Sequence, residues 1–102
     1  MDSAIATTPQ GRGLIRHALE SLRRHGFREP FDLVDDIIEN ATHVTTQSDG
    51  ATVYIQRTRG RGRSFHIVVE SDKRIVTGLV NLTRRELTNL GRNYGFDPYA
   101  RA

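Results

Sequence analysis

Residues 51–80 read ATVYIQRTRGRGRSFHIVVESDKRIVTGLV, and their two-residue alternation decides the fold class. Three runs rich in β-branched and aromatic residues stand in this stretch, at Ala51–Thr58, Ser64–Glu70 and Arg74–Val80. Each is bounded by turn chemistry, the pattern of strands. Ser71-Asp72-Lys73 is a short hairpin connection, and Arg59-Gly60-Arg61-Gly62-Arg63 is a Gly-Arg loop. Connections this short make sequential strands neighbours, so the spacing predicts an antiparallel meander in the order 1-2-3. A fourth strand at Val44–Gln47 would pair ahead of the Asp49-Gly50 turn.

Outward from the strands the period becomes helical. Leu14, Ile15, Ala18, Leu19 and Leu22 form one stripe and predict a helix over Gly13–His25, with Gly26 at its C-terminal cap and Phe27 folded back on its end. After the turn Arg28-Glu29-Pro30, the stripe Phe31, Val34, Ile37, Ile38 and Ala41 predicts a second helix over Asp32–Ala41. Asp32, Asp35 and Asp36 suit its positive N-terminal end. Beyond the strands, Thr83 and Glu86 have capping-box spacing and open a last helix, which Gly95 ends and Pro98 keeps from resuming. The expected fold is therefore α+β: an N-terminal α-hairpin packed on a three- to four-stranded antiparallel sheet, with a C-terminal helix. Residues 1–12, polar and Thr-rich, read as a tail or linker, and residues 13–102 as one domain of ordinary size.

Charge separates the two halves. Residues 1–50 carry five Arg against eight acids, a net of −3, and residues 51–102 carry ten cations against four acids, a net of +6. Nearly all the cations are Arg, which suits bidentate contacts to phosphate, so the basic half has the footprint of a polyanion partner. The chain has no cysteine, which excludes disulfides and thiolate zinc sites. No apolar run is long enough for a membrane helix. The four histidines include no i,i+4 pair and no H-E-x-x-H, and the P-loop, G-x-S-x-G and dinucleotide fingerprints are absent. Hydrolysis by this chain would rest on His, Arg and hydroxyl groups, without a metal or cofactor.

Five residues are the candidates for that chemistry. His17 points away from the helical stripe, between Arg16 and Glu20, and is either solvated or open to a cleft. His66 alternates with Phe65, Ile67 and Val69, which puts it on a face left open if helices cover one side only. Arg57 ends the first strand beside the Gly-Arg loop. Thr77 interrupts an apolar strand, next to Gly78, which permits close approach of a backbone or ligand. Tyr94 closes the last helix. The RNA-binding candidates are Arg59, Arg61 and Arg63 in the loop, Lys73 in the second hairpin, and Tyr54, whose ring offers a base a stacking surface.

The opening helix RHALESLRRHGF, a second helix ending IIENA, the strands ATVYIQR, FHIVVE and RIVTGLV, and a closing helix follow one another in this order. That order resembles the barnase, EndoU, colicin and RelE-like superfamily of small ribonucleases, which includes C-terminal toxin domains of contact-dependent inhibition and other polymorphic-toxin systems. The resemblance spans about residues 14–97. It implies a metal-free ribonuclease, often acting on tRNA in the cytoplasm of a target cell. Such a domain is delivered as the end of a larger secreted protein and neutralised by a cognate immunity or antitoxin protein. His17 matches the first-helix histidine and Thr77 the hydroxyl of the I-V-T strand, and Arg57 is compatible with the strand cation. In the implied mechanism His17 or His66 deprotonates a 2′-hydroxyl, the other histidine or Tyr94 protonates the leaving 5′-oxygen, and Arg57 with Thr77 stabilises the phosphorane. Two other classes fit the same residues: a non-catalytic nucleic-acid- or protein-binding module, and a RelE-like toxin–antitoxin component acting on the ribosome.

Overall fold

The computed structural model describes residues 4–24, 30–59 and 63–99. Its elements run β1 (Ala4–Thr7), β2 (Gly13–Ile15), α1 (Arg16–Arg24), α2 (Pro30–Glu39), β3 (His43–Thr46), β4 (Thr52–Arg57), β5 (Arg63–Ser71), β6 (Arg74–Thr83) and α3 (Arg84–Tyr94). The six strands form one sheet in the order β1-β2-β6-β5-β4-β3. All its pairs are antiparallel except β2 with β6, which is parallel.

This corrects the expected three- to four-stranded antiparallel meander. The sheet is mixed and has six strands, because residues read as a tail and as the first helical turn are strands instead. Ala4–Thr7 pairs with Gly13–Ile15 across the turn Thr8–Arg12, and β2 then pairs with Arg74 and Ile75. Leu14 and Ile15 satisfy a helical stripe and a strand equally well, and tertiary pairing chose the strand. Gly13 permits it: a Cβ there would meet the Ala4 Cβ at 2.7 Å. Nor is there an α-hairpin in the expected sense, since α1 packs chiefly on β6 and α2 on β4 and β5. The expected Gly26 cap and Phe27 contact lie outside the described residues.

Helices cover both faces of the sheet. On one face Leu14, Ala18, Leu22, Val34 and Ile37 close a fully buried cluster with Val68 and Ile75, and on the other Leu87 and Phe96 close a second cluster with Val53, Ile55 and Ile67. The central strand β5 feeds both, Phe65, Ile67 and Val69 going to α3 and Val68 to α1 and α2. Burial on both faces is why its sequence Ile67-Val68-Val69 is continuously apolar.

Two bulges in β6 change which residues face which layer. Val69 pairs with Thr77 and Glu70 with Ile75, so Val76 is an extra residue. Ile75 and Thr77, which a regular strand would place on one face, therefore lie on opposite faces. The second shift lies between Ile67–Leu79 and Phe65–Leu82, where His66 opposes both Val80 and Asn81. Asn81 takes φ 56°, a left-handed conformation that Asn tolerates, and turns Leu82 into the α3 cluster.

Candidate functional site

The parallel pairing of β2 with β6 stops after Leu14 and Ile75. From there the chain turns into α1, whose first turn overhangs the β6 edge. A cleft of about 230 Å3 opens at that edge, toward the α3 face. His17 of α1, Thr77 of β6 and Tyr94 of α3 line it together with Gln47, over a floor that includes Ile67, Leu79 and Leu90.

Local structure delivers each of these groups. His17 is exposed while its neighbours Ala18 and Leu19 are buried, as the helical stripe requires. Thr77 reaches the cleft only through the Val76 bulge. Tyr94 sits in the last turn of α3, a helix that starts at a complete capping box, with Thr83 N–H donating to Glu86 Oε1 and Glu86 N–H to Thr83 Oγ1, both at 3.0 Å. The helix ends at Gly95 in the left-handed region, φ 72°. Ser48 ties the β3–β4 turn to that end, its N–H and hydroxyl donating to the Tyr94 carbonyl at 3.1 and 3.0 Å. That contact brings Gln47 to the cleft, a residue the sequence marked only as the end of a short strand before a turn.

The other candidates are elsewhere. His66 lies on the α1–α2 face, half-buried, because helices cover both sides of the sheet and no open face exists there. Its Nδ1 accepts the backbone N–H of Asn81 at 3.1 Å, so the neutral ring carries its proton on Nε2. Burial pulls its pKa below the ordinary histidine value, against a hydrogen bond to the Phe65 backbone and the nearby Asp36 charge. Tyr54 packs against the α1–α2 cluster and donates to Glu70 Oε1 at 3.3 Å, so it is no free stacking platform. Burial, and then the Glu70 charge, raise its pKa.

Arg57 is exposed at the end of β4 and does not line the cleft. Arg59 is exposed nearby, whereas Arg61 and the side chain of Arg63 lie outside the described residues. Lys73 is exposed in a two-residue turn, with Asp72 and Lys73 at φ 51° and 63°. Gly78, expected to permit close approach of a backbone or a ligand, is approached closely by the Leu22 side chain: a Cβ there would meet Leu22 Cδ2 at 2.8 Å. Among the described residues no three His, Asp or Glu side chains are grouped as metal ligands, and no helix is long and apolar enough to cross a membrane.

A second polar cluster anchors the β1–β2 turn to α2. The buried Asp35 carboxylate accepts from Thr8 Oγ1 at 2.7 Å, from Arg12 Nη1 at 2.7 Å and from the Gln10 N–H at 3.0 Å. Burial pushes its carboxyl up, but these hydrogen bonds and the Arg12 charge outweigh it and hold the pKa below the ordinary range. Both carboxylate oxygens are engaged by protein, the mark of a structural group. The chain matches no family model, and no curated protein or solved structure is significantly similar to it.

Proposed function

We propose that this domain is a metal-independent endoribonuclease whose catalytic cleft is the one lined by His17, Thr77 and Tyr94. The observation that carries the reading is their convergence. Three residues singled out in the sequence, from three elements distant along the chain, line one cleft. His17 takes the proton of an RNA 2′-hydroxyl, and that oxygen attacks the adjacent phosphorus. The bond to the 5′-oxygen breaks, and Tyr94 supplies its proton. The Thr77 hydroxyl and the Gln47 amide donate to the phosphorane oxygens, the larger source of rate in reactions of this type. The products carry a 2′,3′-cyclic phosphate and a 5′-hydroxyl. His66 and Arg57 have no part in this version, the first because its Nδ1 is committed to Asn81, the second because it stands outside the cleft.

The proposal extends to a tRNA substrate in a target cell and to an inhibitor protein that covers the cleft. Total RNA and tRNA incubated with the protein in EDTA should be cut, leaving cyclic phosphate ends. Intact RNA, or cutting only after a divalent ion is added, would overturn the mechanism. The mostly apolar floor of the cleft favours a second reading, a module that seats a base or apolar side chain without cleaving. Binding of RNA with no products would select it.

A further inference from the structure

Arg57 and Phe65 are a cross-strand pair of β4 and β5, and such side chains stand side by side on one face. The Arg84 guanidinium lies 5.7 Å from the Phe65 ring centroid and 5.4 Å from that of Tyr99. Cations and aromatic rings therefore alternate across this end of the sheet, from Arg57 over Phe65 to Arg84 and Tyr99. Phe65 is the buried floor, while Arg57, Arg84 and Tyr99 are exposed, Tyr99 by 41%. Tyr99 is held in place, its hydroxyl 2.8 Å from Thr88 Oγ1 and its N–H donating to Asp97 Oδ1 at 2.9 Å. Arg59 and Arg85 are exposed at the margins, and none of these four arginines is ion-paired to a carboxylate among the described residues.

An exposed ring held beside unpaired guanidiniums is the equipment for single strands. Bases have a π-face for the ring, and phosphates take the cations. A duplex hides its base faces and has no use for the ring. We infer that the surface of Arg57, Arg84 and Tyr99 binds single-stranded nucleic acid, with phosphates on the guanidiniums and one base on Tyr99. It lies on the opposite flank of α3 from the cleft. Arg84 and Thr88 project about 60–100° from Leu87 in one sense, and Leu90 and Tyr94 about 20–60° in the other, at 100° per residue. It is thus a binding surface in its own right, and it does not depend on cleavage.

Fluorescence anisotropy with labelled oligothymidine tests it, because that strand has no 2′-hydroxyl and reports binding whatever becomes of the ribonuclease reading. Tyr99→Leu should weaken binding by about 5- to 100-fold, the range of one lost stacked base. Arg57→Gln with Arg84→Gln should weaken it and reduce the slope of log affinity against log salt by about 0.7 per lost contact. The same charge removed from α1, as Arg23→Gln with Arg24→Gln, should leave the affinity close to that of the parent. Melting curves accompany each variant. Arg57→Gln alone covers the case in which Arg84→Gln disturbs packing, since among the described residues it is the Arg57 backbone N–H, not its side chain, that hydrogen-bonds, to Thr42 Oγ1 at 3.2 Å. Equal binding of a duplex of the same length would overturn the inference. So would equal losses in the α1 control, or no binding at low salt, which would leave an acidic protein as the occupant of this surface.

Discussion

The His66 imidazole stands in for a strand partner, its Nδ1 accepting the Asn81 backbone N–H at 3.1 Å inside the second β6 bulge. Asn81 at φ 56° has left the regular ladder, and the ring on the facing strand takes its N–H. The arrangement works only while Nδ1 is unprotonated.

Stability should therefore depend on pH through His66. Burial holds its folded-state pKa below the ordinary histidine value, so the unfolded chain binds the proton first as pH falls. The contribution is fully present above the unfolded pKa and is lost as pH drops toward the folded one. Urea unfolding between about pH 8 and pH 5 should show this decline in the parent, and His66→Gln should flatten it. Identical pH profiles for the two proteins would show that the ring is not coupled to the bulge.

Asp35 should be the most costly surface-adjacent acid to remove. Its loss leaves the Thr8 hydroxyl, the Gln10 N–H and the Arg12 guanidinium without their acceptor and detaches the β1–β2 turn from α2. Arg12 is 26% exposed, so water recovers part of the loss. Asp35→Ala should cost about 2–3 kcal/mol in urea unfolding. Asp36→Ala, one residue away and exposed, should cost about 0.5 kcal/mol. Comparable losses for the two would mean that the network contributes nothing beyond helix charge.

The C-terminal helix was legible because its signals are local. Thr83 and Glu86 are three residues apart, and Gly95 is the residue type that most readily takes φ 72°. The N-terminal strands were not legible, because Leu14 and Ile15 satisfy both periods and only the distant Arg74-Ile75 pairing decides between them. His66 lies on the face expected, opposite Phe65, Ile67 and Val69, but that face is covered rather than open, for a related reason. The run Ile67-Val68-Val69 already carried the sign of a strand covered on both faces, against the alternation read from Phe65, Ile67 and Val69 alone. Thr77 was chosen for its hydroxyl in an apolar strand, but the bulge that turns it into the cleft has no local signature. Val76 is an ordinary strand residue.

Gly78 should tolerate no side chain. A Cβ would fall 2.8 Å from Leu22 Cδ2 and 3.0 Å from its Cγ, and Leu22 is fully buried with nowhere to move. The adjacent bond from Ser21 Oγ to the Gly78 carbonyl, 2.9 Å, holds α1 against β6 at the same point. Gly78→Ala should destabilise by about 1–3 kcal/mol, the cost of overpacking. Gly78→Ala combined with Leu22→Ala should recover part of this relative to the sum of the single changes, because the clash disappears. Strict additivity would place the strain elsewhere.

The most exposed prediction is that His17 acts in the cleft while the fold does without it. Its side chain is exposed, outside the stripe that packs Ala18 and Leu22, so His17→Ala should shift stability by no more than about 0.5 kcal/mol. If it moves a proton in the transition state, the same change should lower cleavage by about 100-fold or more. Tyr94→Phe keeps the ring and removes the proton, and should lose activity with little change in melting, since Ser48 holds only the Tyr94 carbonyl. The pairing of outcomes separates the alternatives. A solvated histidine predicts small effects on both measurements, and a packing histidine predicts lost folding with lost activity. A folded, inactive His17→Ala protein is expected only of a catalytic residue. A variant that melts and cuts like the parent would remove His17 from the mechanism, and with it the claim that this cleft is where RNA is cut.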